Sequence, residues 1–367
     1  MAASFGEKLL GEVTEARLDE ILHDLRNICP NETSNRLGVK ALDDLLEIFM
    51  PAPAPAPQHP DENFNLQPED RQAHRAVKAR TDPVVEISST SSVAGKSQLL
   101  YYLAAIAVLP STIDNVQIDG RNAAAVFIDT DGRFDADRLL SVAQGILYQK
   151  LKQHMVEQLP DTESILYNSL QHVHVFRPTS SPSLLATLQS LESYLFDTAR
   201  HLSANRPLHA IFIDSATVFF WQDKLRDQIA RVEEIGRPHT EIEHDRRSKR
   251  SFYIGDMYAE LVRELKRVRS LFGCAVVYTT TAWIGRAASA SASASGEDLV
   301  AFRCSLPPPW GLFPTLRVVV RANGQGRFLG CVNGLGKEQW PRRVVEGLER
   351  QSRGTFVFSA DKHGVLV

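Results

Sequence analysis

From Val84 onward, short runs of β-branched and apolar residues alternate with longer amphipathic segments, and few folds accommodate that alternation. Strands separated by helix-length segments build a mostly parallel sheet covered by helices, an α/β arrangement. The spacing predicts strands at 84–88, 123–129, 173–176, 209–213 and 273–279, with helices at 96–108, 135–153, 183–202 and 256–271. A C-terminal antiparallel group is expected at 315–321, 326–332 and 355–359, followed by a turn from Asp361 to Gly364 and a last strand at 364–367.

Ahead of this core the pattern is different. Residues 5–28 place Leu9, Leu10, Val13, Leu18, Ile21, Leu22, Leu25 and Ile28 at helical spacing, and a shorter amphipathic stretch runs from Val39 to Phe49. Pro and Ala then alternate from Pro51 to Pro57, a sequence that fits neither a helix interior nor a central strand. The expected organisation is N-terminal helices and lead-in over 1–50, an extended linker over 51–82, and the α/β core over 83–367. Mobile loops are expected near 222–250, which is densely charged, and 285–309, which contains the Ala/Ser tract Ala287–Ser295.

Composition narrows the class. At 43% hydrophobic and 23% charged, the chain has enough apolar mass for a sizeable core, and its net charge of −3 supplies no global field for nucleic acid. The 4 cysteines, Cys29, Cys274, Cys304 and Cys331, form no CxxC pair, which argues against a disulfide scaffold or zinc site and fits a reducing compartment. Leu99–Leu109 is the longest strongly apolar run, far too short to span a bilayer, and no signal pattern opens the chain. The expectation is a soluble intracellular protein with no membrane partner.

Chemistry enters after the first strand. Val84–Ile87 leads through Ser88–Ala94 to Gly95-Lys96-Ser97 and an apolar helix, the context of a phosphate loop. Lys96 would reach the β/γ-phosphates, Ser97 would offer its hydroxyl to Mg²⁺, and the N–H groups opening the helix would cradle phosphate oxygens. The candidate nucleotide-binding set is Thr90, Ala94, Gly95, Lys96, Ser97, Gln98 and Asp214, with Ser97 and Asp214 toward the metal. Thr90 stands where the motif carries its first glycine, a position that ordinarily uses backbone freedom a β-branched residue lacks. A chance Gly-Lys-Ser in a Ser-rich turn is the plainer alternative, disfavoured by the strand–loop–helix placement.

Two further strands end in carboxylates: Ala125–Ile128 runs into Asp129 and Asp131, and His209–Ile213 into Asp214. Ligands of doubly wound sheets sit at the C-terminal strand ends, so Asp131 is placed to orient an attacking water and Asp214 to hold Mg²⁺ through its water shell. Asp129 is assigned instead to capping the following segment.

Taken in order, these segments resemble the eukaryotic RecA-family recombinases and their paralogues. Phe127–Phe134 with Asp137–Leu140 resembles their second strand and helix, Ile213–Trp221 their Walker-B segment, Gly273–Thr281 their sensor strand, and Leu37–Leu46 the lead-in to their core. Leu100–Leu103, Leu109-Pro110, Asp129-Thr130-Asp131, Phe220-Trp221 and Phe356–Val367 sharpen the match toward the paralogue branch. The resemblance covers most of 37–367. It implies a RecA-like P-loop NTPase core, ATP and Mg²⁺ as ligands, and a nuclear role in homologous-recombination DNA repair. It also implies partnership with other recombinase paralogues and contact with single-stranded or branched DNA through that complex.

Three departures bear on catalysis. Asp131 stands where active recombinases carry a catalytic Glu, Thr280-Thr281 where their sensor strand ends in Asn-Gln, and Thr90 at the first loop glycine. A misplacement of ~1 Å can cost about two orders of magnitude in rate, so binding with weak or absent hydrolysis is expected. Two alternatives stay open: a DNA-stimulated ATPase using Asp131 as its catalytic carboxylate, and a pure interaction scaffold whose nucleotide site has decayed. For DNA the candidates are Arg246, Arg247, Lys249, Arg250 and Arg286. The 246–250 cluster reads first as a solvated surface run, with a phosphate contact and a nuclear-targeting patch sharing the remaining weight.

Overall fold

The computed structural model describes residues 37–50, 82–154, 161–248, 251–281 and 301–367. The expected helix at 5–28, the Pro/Ala linker, Lys249, Arg250, Arg286 and the Ala/Ser tract lie outside the described residues.

Among the described residues, nine strands form one sheet in the order β11-β10-β9-β8-β1-β7-β6-β4-β5. β1 (Val84–Ser89), β4 (Ala124–Asp129), β5 (Val173–Phe176), β6 (Leu208–Asp214), β7 (Ala275–Thr281) and β8 (Leu316–Ala322) are parallel. β9 (Arg327–Val332), β10 (Thr355–Asp361) and β11 (Gly364–Leu366) continue the sheet antiparallel. The expected fold class is therefore present, including its C-terminal extension.

Period-two alternation sorts each central strand between two cores. Val85, Ile87, Ala125, Phe127, Ala210, Phe212 and Val277 enter one, against α1 (Lys40–Phe49), α2 (Lys96–Val108), α3 (Ala136–Gln153) and α4 (Thr162–Leu170). Val84, Val126, Ile128, Ile211, Ile213, Val276 and Tyr278 enter the other, against α5 (Ser181–Phe196) and α8 (Ile254–Phe272). α2 is apolar almost all round, as a helix enclosed on every side must be. Ala104, Ala105 and Ala107 let it lie close beneath the sheet.

Several expectations change. The helix expected to reach 202 stops at Phe196, because Asp197 accepts from the N–H of Ala199 and turns the chain out of the helix. The stretch 222–250, expected as a mobile loop, holds α6 (Phe220–Glu233) and α7 (His239–Arg247). Its charges obscured the pattern because α6 turns Asp223 and Asp227 inward and its large apolar side chains outward. α4, α10 (Arg342–Arg350) and the hairpin β2 (Thr112–Ile113) to β3 (Val116–Gln117) were not anticipated. That hairpin turns on Asp114 and Asn115, both at positive φ, the chemistry of a tight two-residue turn. A single short helix, α9 (Pro308–Gly311), lies before β8.

Candidate functional site

β1, β4 and β6 all end on the same side of the sheet, and their C-terminal ends assemble the candidate nucleotide site. Gly95 takes the left-handed conformation at φ 84 and hands the chain to α2 with no side-chain cap. The first N–H groups of that helix are left for another acceptor, which is what phosphate binding at a helix N-terminus requires. A Cβ at Gly95 would meet the Phe328 ring of β9 at 2.7 Å, so both the φ and the close approach demand glycine. Thr90, by contrast, does not occupy the positive-φ region, so its β-branched side chain fits the loop without strain.

Lys96 is buried, its ammonium donating to Ser89 Oγ and, at 3.3 Å, to the Ser91 carbonyl. Burial pushes its pKa down, while the charges of Asp214 and Asp131 pull it back up. Both carboxylates thus lie within the electrostatic reach of the lysine. Ser97 and Gln98 are half-buried on the first turn and Ala94 is enclosed beneath it. The Gln98 side chain has a structural task as well: its Oε1 accepts from Arg138 Nε at 2.8 Å, which ties α2 to α3.

The three aspartates differ sharply. Asp129 is buried, and accepts from the N–H groups of Arg133 and Phe134 and from Arg177 Nε at 3.1 Å, so it fixes the turn into α3. Asp131 is exposed, with Arg133 Nε 3.6 Å away. Asp214 is half-buried, and its Oδ1 accepts from Thr279 Oγ1 at 2.5 Å. Around them Tyr101 stacks on Phe127 at 5.8 Å and both touch Phe134, so aromatic residues distant in sequence form one block supporting the β4 end.

Sequence reasoning missed Glu86. It sits in β1 ten residues before Lys96 and is buried between β7 and β8, where Thr280 Oγ1 donates to it at 2.9 Å and Arg317 Nε lies 3.4 Å away. Burial pushes its pKa up, against the hydrogen bond from Thr280 and the charge of Arg317. A lone glutamate inside the Val84–Ile87 run was the available signal, since a charge in a fully buried strand needs partners. Thr280 is consequently turned into the sheet interior and spent on Glu86, while Thr281 is exposed at the strand end.

No family model matches the chain. Curated relatives do. DNA repair protein XRCC2 of Mus musculus is 32% identical over 132 residues, a match spanning 36% of this chain and 39% of that protein's length. The DNA repair protein XRCC2 homolog of Arabidopsis thaliana is 24% identical over 290 residues, 70% of this chain and 73% of its own. DNA repair and recombination protein RadA of Methanocorpusculum labreanum is 29% identical over 131 residues, 34% of each chain. The chain is similar to XRCC2-like members of the RecA family.

In this RecA-like core the DNA-contact candidates are less available than expected. Arg246 makes a two-pronged ion pair with Asp256 at 2.8 and 2.7 Å and lies over the Tyr253 ring, and Arg247 pairs with Glu243 at 3.1 Å. Both are exposed, yet each carries a carboxylate partner that a phosphate would have to displace. His172 and His174 lie at the β5 edge of the sheet, both bonded to Ser203 Oγ, at 2.8 and 2.9 Å. Among the described residues no group of His, Cys, Asp or Glu is arranged to hold a metal ion. No helix among them is long and apolar enough to cross a membrane.

Proposed function

We propose that the chain is a nucleotide-binding subunit of a recombinase-paralogue complex in homologous-recombination DNA repair, supporting recombinase filaments on DNA with little or no ATP hydrolysis of its own. The observation that carries the nucleotide reading is the convergence, at the C-terminal ends of the central strands, of buried Lys96, the uncapped N-terminus of α2, and Asp214 and Asp131 within the lysine's field. The names of the relatives, DNA repair protein XRCC2 and DNA repair and recombination protein RadA, favour the repair role.

The residues present fit ATP with Mg²⁺. Lys96 and the N–H groups of α2 would face the phosphates, and Ser97 and Asp214 would flank the metal. A bound Mg²⁺ would neutralise phosphate charge. This chain's own contribution to hydrolysis is poor, because Asp131 stands exposed beside Arg133 and Thr280 is committed to Glu86. A nuclear location and partnership with other paralogues belong to the same reading, with DNA reached through the assembled complex.

Isothermal titration of the full chain with ATP and Mg²⁺ tests the nucleotide part. Binding that disappears in Lys96→Ala is expected; unchanged affinity in that variant removes the site assignment, and no binding by the native chain leaves the scaffold reading. Tagged purification from the native cell after nuclease treatment tests the subunit part. Stoichiometric recovery of recombinase paralogues is the expected result, and a chain that purifies alone overturns it.

A further inference from the structure

α6 is built inside out. Trp221, Leu225, Ile229 and Val232 fall within roughly 80° of one another around its axis, and Ile235 follows just beyond its end. These five side chains are 49% to 79% exposed. The opposite face buries Asp223, Asp227 and Ala230 instead. Asp223 accepts from Ser181 Oγ, and Asp227 takes the N–H of Ile254 at 3.0 Å and Arg231 Nε at 2.8 Å. Those bonds to α5 and α8 lock the rotation of the helix, so the outward apolar face is a fixed feature of the fold. A contiguous apolar face held outward marks an interaction site.

Charge selects the occupant. Two of the helix's three carboxylates are turned inward, one of them paired with Arg231, so the exposed charges bordering the stripe are Lys224 and Arg231 on one side and Arg226 with Glu233 on the other, a cationic excess. Lys224 Nζ lies 5.0 Å from the Trp221 ring centre. A second copy paired antiparallel through this face would set Lys224 and Arg231 against the same residues, like charge against like. Leu225, Ile229 and Val232 offer no surface on which bases stack, which disfavours single-stranded DNA. An amphipathic helix with carboxylates beside its apolar face satisfies both the stripe and the cations.

We propose that the outer face of α6 docks an acidic amphipathic helix of a partner protein. The site is independent of nucleotide binding, and its failure would leave the Lys96 assignment untouched. The test uses the full chain and three labelled probes in fluorescence anisotropy. These are a synthetic Leu-faced helix flanked by Glu, its twin with Lys for Glu, and a single-stranded oligonucleotide. The Glu peptide is expected to bind about tenfold more tightly than the Lys twin. Leu225→Glu with Ile229→Glu abolishes that binding, and Lys224→Glu with Arg226→Glu, which leaves the Arg231–Asp227 pair intact, reverses the preference. The two apolar substitutions lie on solvent and leave the thermal midpoint unchanged, which separates lost docking from lost folding. Equal binding of both peptides, no binding of either, or oligonucleotide binding that depends on Leu225 and Ile229 overturns the proposal.

Discussion

Asp214, at the end of β6, receives the Thr279 hydroxyl from the neighbouring strand β7 at 2.5 Å, so the carboxylate assigned to the metal is oriented by a buried side chain rather than by solvent. Outer partners of this kind typically carry a tenfold or larger share of metal affinity. Thr279→Val keeps the shape and deletes the donor. It is expected to weaken ATP binding about tenfold in Mg²⁺ while leaving binding in EDTA unchanged. Thr279→Ser should retain the native value. Titration calorimetry with and without the metal decides, and an equal loss in EDTA would rule out an orienting role.

Glu86 gives a stability prediction. Removing one member of a buried ion pair leaves the other charge without compensation. Glu86→Ala strands Arg317 and the Thr280 hydroxyl and is expected to cost about 3 kcal/mol in urea unfolding. Glu86→Gln keeps an acceptor for Thr280, and the burial that raises the native pKa already favours an uncharged group there. It should cost much less. Similar losses in the two variants would show that the charge facing Arg317, which both variants remove, carries the stability.

His209 and His174 make the fold acid-sensitive. Burial pushes both rings down to about 4, helped by Arg121 at His209 and by His201 and His172 at His174. The unfolded rings protonate near ~6.5, so below that pH the unfolded chain binds protons the fold refuses. Stability therefore falls as pH drops from about 6.5 to about 4 and is unaffected by these groups above that window. His209 contributes about 3 kcal/mol of the loss at its lower end. Denaturant unfolding at several pH values should show a shallower decline for His209→Gln than for the native chain, and parallel curves would discount the ring.

The parts legible in the sequence were those with strong local periodicity. The apolar runs around Val85, Phe127, Ile211 and Val277 are enclosed on both sheet faces, so they read as strands without reference to anything else. The placement of Gly95, Lys96 and Asp214 after β1 and at the end of β6 was legible for a related reason, since sequence order preserves adjacency to a strand end. What escaped depended on contacts across strands. Nothing local shows that Thr280 faces Glu86, a partner 194 positions away. Nor does anything local show that the Gln98 side chain meets Arg138 of α3, 40 positions away. α6 was obscured by the opposite effect, since its apolar spacing is regular but faces water, and its buried residues are carboxylates.

Asp131 carries the prediction on catalysis. A general base must reach within hydrogen-bond distance of the water it activates, and this carboxylate is exposed beside Arg133, 3.6 Å from the guanidinium Nε. Its charge is nevertheless felt by Lys96, so it sits at the right end of the sheet, one methylene shorter than a glutamate would be. Asp131→Asn should therefore leave whatever phosphate release the native chain shows unchanged within about twofold. Asp131→Glu, one methylene longer, should raise it if reach alone is limiting, while the committed Thr280 still holds the rate below that of a complete recombinase site. Phosphate release measured with Lys96→Ala as the blank distinguishes the outcomes. Turnover that vanishes in Asp131→Asn would instead establish this carboxylate as the working catalytic group and make the chain an ATPase in its own right.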